Sequence, residues 1–192
     1  MKGKKEEGTI RAFFALPLSK EQRGEIARMI DPLRREREPV RWVHEENLHV
    51  TLRFLGNVTP GVRASLEESM QEVAAGLSPF SFRIGPAGAF PSIRRARVLW
   101  VGLSRGEEEV GALAHRVEEA VRRIGFEEEK RFHAHITVGR TKGPLSPGFR
   151  ERFTALLAEP VERQAAGFQL MKSTLTREGA IYEVLREFPL GR

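Results

Sequence analysis

Apolar and polar positions alternate in short stretches of the chain, separated by longer segments with an apolar residue every three or four positions. A period of two is typical of a strand, and spacings of three and four mark one face of a helix. The predicted strands lie at 9–16, 48–55, 80–85, 97–103, 132–138, 167–175 and 180–187. Four helices are predicted between them, beginning near residues 19, 59, 107 and 148. This mixed order of strands and helices predicts an α+β fold.

Local signals refine two of these elements. Ser19 followed by Gln22 has the spacing of a capping box at the start of the first helix. Pro32 is expected to kink or end that helix, because proline cannot donate a backbone hydrogen bond. The Gly/Pro-rich residues 85–92 (GPAGAFPS) are expected to form a link between two strands.

Composition limits the class of protein. The chain has 192 residues, is 40% hydrophobic and contains no cysteine, which excludes disulfides, a thiolate nucleophile and Cys-ligated metal sites. Its apolar runs are too short to span a bilayer, and residues 1–11 lack the apolar stretch of a signal peptide. No linker divides the sequence. We therefore expect a soluble cytoplasmic protein, a monomer, with residues 1–192 folded as one domain.

The charge balance favours a polyanionic partner. Lysine and arginine outnumber aspartate and glutamate by 32 to 26, and the pI is near 10.1. The basic residues cluster at Arg34, Arg35, Arg37 and Arg41, at Arg94, Arg95 and Arg97, and at Lys130 and Arg131. Each cluster could equally be a solvated face that only maintains solubility.

Two short segments 86 residues apart repeat one pattern. They read His49-Val50-Thr51-Leu52-Arg53-Phe54 and His135-Ile136-Thr137-Val138-Gly139-Arg140. If both are regular strands, His49, Thr51 and Arg53 share one face and Val50, Leu52 and Phe54 share the opposite, apolar face. His135 and Thr137 likewise share a face. The repeat predicts two His–Thr pairs that face each other across a cleft.

Such a constellation suits phosphate-ester chemistry without a metal or other cofactor. One imidazole can take a proton from water while the other gives one to a departing oxygen, both near neutral pH. The hydroxyls of Thr51 and Thr137 can donate to the non-bridging phosphate oxygens. Arg140 can place a positive charge near the phosphate or pack on a base. The pH profile is expected to have both limbs within a unit or two of 6.5.

The two motifs in their surroundings, RWVHEENLHVTLRFLG and RFHAHITVGR, resemble the 2H phosphoesterase superfamily. They are most similar to its RNA 2′,3′-cyclic phosphodiesterases, also called 2′-5′ RNA ligases, as are RAFFALPL, GAFPSIRRARVLWVGL and STLTREGAIYEVLREFPL. The resemblance implies two pseudo-symmetric lobes, each an antiparallel sheet with outer helices, and an active site in the cleft between them. It also implies that His49 is the proton donor, that His135 is the base, and that Thr51 and Thr137 hold the phosphate.

The activity implied by this resemblance is hydrolysis of RNA 2′,3′-cyclic phosphate ends to 2′-phosphate ends. The expected partners are RNA with such ends or small cyclic nucleotides. One alternative is 2′-5′ ligation of cyclic phosphate and 5′-hydroxyl ends at the same site. A second alternative, from another class, is a basic RNA-binding module without catalysis.

The other histidines and the aromatic residues have competing interpretations. His133 and His135 could form an H-x-H metal pair, but no third ligand is evident nearby, so no metal is expected. His44 is expected in a loop and His115 in solvent. The aromatic residues that could stack on bases are more typical of core packing; they are Phe13, Phe14, Trp42 and Trp100.

Overall fold

Nine strands and four α-helices are found in the computed structural model, which describes residues 8–129, 131–158, 162–177 and 179–191. In chain order they are β1 (Ile10–Pro17), α1 (Lys20–Arg34), β2 (Val40–Trp42), β3 (His49–Val58), α2 (Pro60–Ala75), β4 (Phe80–Phe90), β5 (Val98–Arg105), α3 (Glu107–Arg123), β6 (Ile136–Thr141), α4 (Pro147–Thr154), β7 (Glu162–Ala165), β8 (Gly167–Leu175) and β9 (Ala180–Pro189). The α+β prediction is confirmed. Lys130 of the third basic cluster and most of the charged N-terminal segment lie outside the described residues.

The strands form two antiparallel halves that meet in the middle of one sheet. Its order is β7-β4-β5-β6-β3-β1-β8-β9, and β2 pairs with β6. Strands β3 and β6 touch through one register pair, Val50 with Ile136. The first half therefore consists of β1, β3, β8 and β9, and the second of β2, β4, β5, β6 and β7. Buried apolar side chains from both halves and from the helices form one continuous core.

Helix α1 begins as the sequence predicts and ends slightly later than expected. Ser19 accepts from the backbone of Gln22, and the Gln22 side chain accepts from the backbone of Ser19, which completes the capping box. The helix continues through Pro32 to Arg34. Pro32 has no N–H to donate to the Arg28 carbonyl oxygen, so the helix loses one backbone hydrogen bond there without ending. Within the described residues no helix has the length and apolar character needed to cross a membrane.

The expected Gly/Pro-rich link is a strand, so that prediction is wrong. Strand β4 continues through this stretch to Phe90, with register shifts on both sides of Ile84. A Cβ at Gly85 would lie 2.4 Å from the Leu103 carbonyl carbon, and one at Gly88 would lie 2.3 Å from the Trp100 ring. The glycines are therefore present because neighbouring groups approach the strand closely, and they do not end it.

Candidate active site

The two repeated motifs lie side by side where the halves of the sheet meet. Strands β3 and β6 run antiparallel and pair at Val50 and Ile136, the second residue of each motif. On either side of an antiparallel pair, the preceding residue of one strand faces the following residue of the other. His49 therefore lies beside Thr137, and Thr51 lies beside His135. Each histidine is thus next to the threonine of the other motif.

A β-bulge in the first motif changes which side chains face the core, so the predicted faces of Arg53 and Phe54 are wrong. Thr51 pairs with Ala15 and Arg53 pairs with Phe14, so that Leu52 has no partner on β1. The extra residue reverses the alternation of faces. Arg53, expected on the histidine face, is buried, and Phe54, expected in the core, is 53% exposed.

The second motif has a bulge at the equivalent position. Thr137 pairs with Trp100 and Gly139 pairs with Leu99, which leaves Val138 without a partner on β5. Regular alternation would turn Arg140 away from the histidine face. After the bulge, Arg140 lines the same cleft as His135. Phe54 and Arg140 therefore occupy equivalent positions, each the sixth residue of its motif.

A cleft of about 570 Å³ follows the seam between the two halves; we call it the main cleft. All five residues singled out in the sequence line it, namely His49, Thr51, His135, Thr137 and Arg140. The residues that line it also include Arg11, Arg41 and His44. Among the described residues of the lining there is no aspartate or glutamate. The main cleft is therefore suited to an anionic ligand.

Both histidines line the main cleft, and both have the same ring nitrogen bonded to the backbone. His49 Nδ1 lies 2.8 Å from the Asn47 carbonyl oxygen, and His135 Nδ1 lies 2.7 Å from the His133 carbonyl oxygen. A carbonyl oxygen can only accept, so each Nδ1 carries the hydrogen and each Nε2 is left for chemistry. His49 Nε2 lies 3.1 Å from the Thr51 hydroxyl.

Burial favours the neutral form of both imidazoles. It lowers the pKa of His49 from the usual 6.5 to about 4, the positive charge that His135 can carry adds to this effect, and the Asn47 carbonyl opposes it. Burial also lowers the pKa of His135, as do the charges of His133 and Arg140, while the His133 carbonyl opposes the shift. The pKa of His49 is lower than the sequence-based expectation, because its ring is desolvated between aromatic side chains.

Of the aromatic side chains beside the histidines, the sequence offers Phe13 as a possible stacking residue, but it does not single out Tyr182 or Phe90. The His49 ring lies 5.0 Å from the Phe13 ring and 5.3 Å from the Tyr182 ring, centroid to centroid, and His135 lies 5.0 Å from Phe90. Phe14 is a buried core residue, as expected, whereas Phe13 is buried but lines the main cleft. Tyr182 is the only tyrosine in the chain, and it lies in STLTREGAIYEVLREFPL, one of the segments that resemble the family. Burial raises the pKa of its hydroxyl.

Asn47 connects the first motif to the far end of the sheet. Its carbonyl oxygen accepts from His49, and its side-chain amide donates to the Ala180 carbonyl oxygen at 3.1 Å. Ala180 begins β9, which also carries Tyr182. The loop before β3 and the β8–β9 hairpin are therefore held together at one wall of the main cleft.

The buried Arg53 connects the first motif to the loop that leads to the second. Its guanidinium lies 2.5 Å from the Glu118 carboxylate and 3.0 Å from that of Glu129, and it donates to the Glu127 carbonyl oxygen. The side chains of Arg53 and Glu118 are 10% and 17% exposed, so their ion pair is largely shielded from water, whereas Glu129 is 45% exposed. Arg53 therefore has a structural role.

His133 and His135, the two histidines of the possible H-x-H pair, have different surroundings. The His133 ring packs 5.1 Å from Trp100 and 5.3 Å from Phe90, and it lies outside the main cleft. In the described ranges no three His, Asp or Glu side chains converge closely enough to hold a metal ion. Strand β6 begins at Ile136, so both histidines precede it, in contrast to the predicted strand at 132–138. His44 lies in a loop and His115 is exposed on α3, as expected.

An antiparallel sheet in two halves, with an H-x-T pair contributed by each half to one cleft, defines a 2H phosphoesterase. Comparison with known families gives the same result. The model of the "LigT like Phosphoesterase" family matches this chain twice in succession, over residues 16–100 and 101–182. The chain belongs to that family.

Named relatives and solved structures are similar over most of the chain. An RNA 2′,3′-cyclic phosphodiesterase of Methanothermobacter thermautotrophicus is 32% identical, covering 94% of this chain and 99% of its own. One of Archaeoglobus fulgidus is 39% identical, covering 78% and 83%. A crystal structure from Thermus thermophilus superposes with a TM-score of 0.83 at 26% identity, covering 94% and 98%. Escherichia coli LigT complexed with 3′-AMP gives 0.75 at 26%, covering 96% and 99%.

Proposed function

We propose that this protein hydrolyses RNA 2′,3′-cyclic phosphate ends to 2′-phosphate ends, using two histidines as acid and base. The observation that carries the proposal is the pairing of the two motifs at Val50 and Ile136, which brings both histidines and both threonines of the motifs to one cleft. A module that only binds RNA does not require this pairing. The names of relatives over nearly the whole chain support the same activity.

The reaction follows from the roles of the two histidines. His135 Nε2 takes a proton from water as the water oxygen attacks phosphorus. The bond from phosphorus to the ribose 3′ oxygen breaks, and His49 Nε2 gives its proton to that oxygen. Water is consumed, the product is a 2′-phosphate with a free 3′-hydroxyl, and both imidazoles recover their starting states by proton exchange with solvent.

The remaining residues stabilise the charge that develops on phosphate. Thr51 and Thr137 donate hydrogen bonds to the non-bridging oxygens, where negative charge increases in the transition state. The Thr51 hydroxyl lies 3.1 Å from His49 Nε2, so Thr51 can contact both the phosphate and the histidine that donates the proton. Arg140 adds a positive charge next to His135, and Tyr182 with Phe13 forms an aromatic wall beside His49.

An RNA strand is the larger substrate that suits this cleft. Arg41 and Arg140 lie directly opposite each other on β2 and β6. Like charges at opposite cross-strand positions are destabilising, and neither guanidinium forms an ion pair within the described part of the chain. A second phosphate of an RNA chain, in addition to the cyclic one, would relieve this repulsion. Small cyclic nucleotides would occupy only the part near the histidines.

The product identifies the reaction. Incubation of the purified protein with an oligoribonucleotide ending in a 2′,3′-cyclic phosphate should give a 2′-phosphate, distinguishable from a 3′-phosphate by phosphorus NMR. A 3′-phosphate would preserve the two-histidine chemistry but reverse the orientation of the ribose. Recovery of unchanged cyclic phosphate, with the RNA still bound, would support the binding-module alternative instead.

A further inference from the structure

Asn47 reaches His49 by two routes, one through its backbone and one through its side chain. Its carbonyl oxygen accepts from His49 Nδ1 at 2.8 Å, and its side-chain amide donates to the Ala180 carbonyl oxygen at 3.1 Å. Two residues after Ala180, the ring of Tyr182 packs edge-on against the His49 ring at 5.3 Å. These four residues therefore form a closed ring of contacts around the first histidine.

The side-chain route matters because Tyr182 lies on the last strand of the sheet. Strand β9 pairs only with β8, and the pair of Leu175 with Ala180 is at the end of that hairpin. Phe13, the other ring against His49, lies on β1, which has β3 on one side and β8 on the other. Phe13 is thus held by the sheet itself. The hydrogen bond from Asn47 adds a second contact that fixes the start of β9 relative to His49.

The position of Asn47 is itself defined by the turn before β3. Its backbone N–H donates to the His44 carbonyl oxygen at 2.9 Å, and that of Leu48 donates to the Glu45 carbonyl oxygen at 3.2 Å. An asparagine suits this place because its amide supplies a donor without a charge. An aspartate carboxylate could only accept, and it would face the Ala180 carbonyl oxygen without a hydrogen.

The contact with the hairpin affects both the orientation and the hydration of His49. Phe13 and Tyr182 cover the His49 ring, and Tyr182 with Ala180 also lines the main cleft. If the start of β9 moved outward, water would reach the ring and the imidazole could turn. A displacement of about 1 Å in a group that must meet a reacting atom can cost about 10²-fold in rate.

We propose that the Asn47 side chain is a positioning residue, which holds the β8–β9 hairpin against His49 and thereby keeps the acid imidazole aligned and shielded from water. This inference rests on the proposed function, and it adds no group to the chemistry itself. Asn47 also lines the main cleft, so a direct contact with the substrate is the competing explanation. The two explanations differ in whether kcat or KM changes.

The first test is the hydrolysis of 2′,3′-cyclic AMP by Asn47→Ala and by Asn47→Asp, which keeps the size but loses the donor. Each variant should lose roughly 10- to 100-fold in kcat, because the acid is misaligned. KM should change by at most about threefold, because the threonines and arginines of the main cleft remain. The chain has one other asparagine, Asn57, which is exposed on the same strand. Asn57→Ala and Asn57→Asp should therefore retain the wild-type kcat.

The second test follows the His49 ring by NMR in the substrate-free protein. Burial lowers the pKa of His49 to about 4, and water that reaches the ring in Asn47→Ala should raise that pKa toward 6.5. A weaker bond from the Asn47 carbonyl would act in the opposite direction, but burial is the larger cause. The variant leaves unchanged the other titratable and charged groups around His49, which are His135, Tyr182, Arg11, Arg41, His44 and Arg140.

A double variant tests whether Asn47 acts through Tyr182. Tyr182→Leu alone should lower kcat and raise the pKa of His49 in the same way. Asn47→Ala combined with Tyr182→Leu should lose little more kcat than the more damaging single change, because both remove the same support of His49. Losses that multiply in the double variant would mean that the two residues act independently, and would overturn the proposal.

Other outcomes would also overturn it. These are a wild-type kcat in Asn47→Ala, a raised KM with kcat retained, or a loss of kcat with an unchanged His49 titration. Circular dichroism checks that each variant is folded, and Asn47→Asp decides by the kinetic measurements if Asn47→Ala does not fold. Absence of hydrolysis by the wild type would instead overturn the proposed function, whereas the titration of His49 would still test the contact with the hairpin.

Discussion

Each candidate catalytic histidine is fixed by one hydrogen bond from its own Nδ1 to the carbonyl oxygen two residues earlier. This bond places the hydrogen on Nδ1 and leaves Nε2 for chemistry in rings that line the main cleft. The same bond favours the protonated ring, but burial outweighs it at both sites. Without substrate, both imidazoles are therefore poised toward the neutral form. The anionic phosphate of a bound substrate would favour protonation again.

This balance predicts the pH dependence of the enzyme. The reactive form carries one proton, on His49, while His135 is neutral. Because the pKa values of both groups are lowered, kcat/KM should trace a bell whose alkaline limb lies below pH 6.5, with a maximum between about 4 and 6.5. The limbs of kcat should lie at higher pH, because bound phosphate raises both pKa values.

Rates measured from pH 4 to 8.5 with a cyclic mononucleotide would check this. A kcat/KM profile that stays level up to pH 8 would contradict the histidine assignment. The stability of the fold gives an independent check, since a lowered pKa means that the unfolded chain binds the proton more tightly. The free energy of unfolding should fall as pH drops from about 6.5 toward 4, and less so in His49→Gln.

The sequence predicts which motif residues form the site, but it does not predict the strand face on which every side chain lies. The repeat of His and Thr at i and i+2 correctly placed His49, Thr51, His135 and Thr137 in one cleft. The faces of Arg53 and Phe54 were wrong because one bulged residue reverses a strict period of two. Nothing in the letters HVTLRF indicates a bulge. It arises from the pairing with β1.

At the scale of elements, Arg53 connects β3 to α3 and to the loop before β6 through ion pairs. Its partners Glu118 and Glu129 come from those two segments. Removing one member of a buried ion pair leaves the other charge desolvated and without its partner, which is more costly than never having had the pair. The bulge of the first motif therefore also helps to position the second motif.

Arg53→Leu should destabilise the protein by about 3 kcal/mol, because the carboxylate of Glu118, only 17% exposed, then remains largely desolvated without its partner. The double variant Arg53→Leu with Glu118→Leu should recover a large part of this loss. Denaturant unfolding of the wild type, both single variants and the double variant gives the coupling energy. The exposed pair of Arg35 and Asp31 is the control, since its removal should cost at most about 1 kcal/mol. Equal losses for the two pairs would contradict the structural role of Arg53.

The elements themselves were largely predictable. Long periodic segments and capping signals located α1 to α4 within a few residues. Strands β2 and β7 were missed because, at three and four residues, they are too short to show a period. The Gly/Pro-rich part of β4 was predicted to be a link. Its glycines are instead needed because Trp100 and Leu103 of the neighbouring strand approach them closely. Contacts between elements leave no periodic signal.

At the scale of the whole molecule, the two halves form one continuous core. We propose that residues 1–192 unfold as a single cooperative unit. Both tryptophans, Trp42 and Trp100, lie in the second half, on β2 and β5, whereas Leu170 is buried in the first half. Leu170→Ala should therefore lower the denaturation midpoint seen by tryptophan fluorescence as much as that seen by far-UV circular dichroism, for a loss of about 2–5 kcal/mol. A tryptophan transition that does not move would mean that the halves unfold separately.

The basic surface should make RNA binding depend on salt. If Arg41 contacts a phosphate of the strand, Arg41→Gln should reduce the slope of log affinity against log salt by roughly one for a cyclic-phosphate oligonucleotide. The affinity for a cyclic mononucleotide should change much less. Arg37→Gln, an exposed arginine outside the main cleft, should leave both slopes unchanged. Equal slopes for Arg41→Gln and the wild type would mean that Arg41 does not contact the RNA backbone.

The central claim is that His49 and His135 act together as acid and base on a 2′,3′-cyclic phosphate. The most direct measurement is the turnover of a cyclic-phosphate oligoribonucleotide by His49→Ala and His135→Ala, with circular dichroism as the check on folding and Leu157→Ala, an exposed side chain outside the main cleft, as the control. Each histidine variant should lose a factor of about 10²–10⁴ while remaining folded, because general acid or base catalysis is removed. Wild-type turnover in either folded variant would contradict the account.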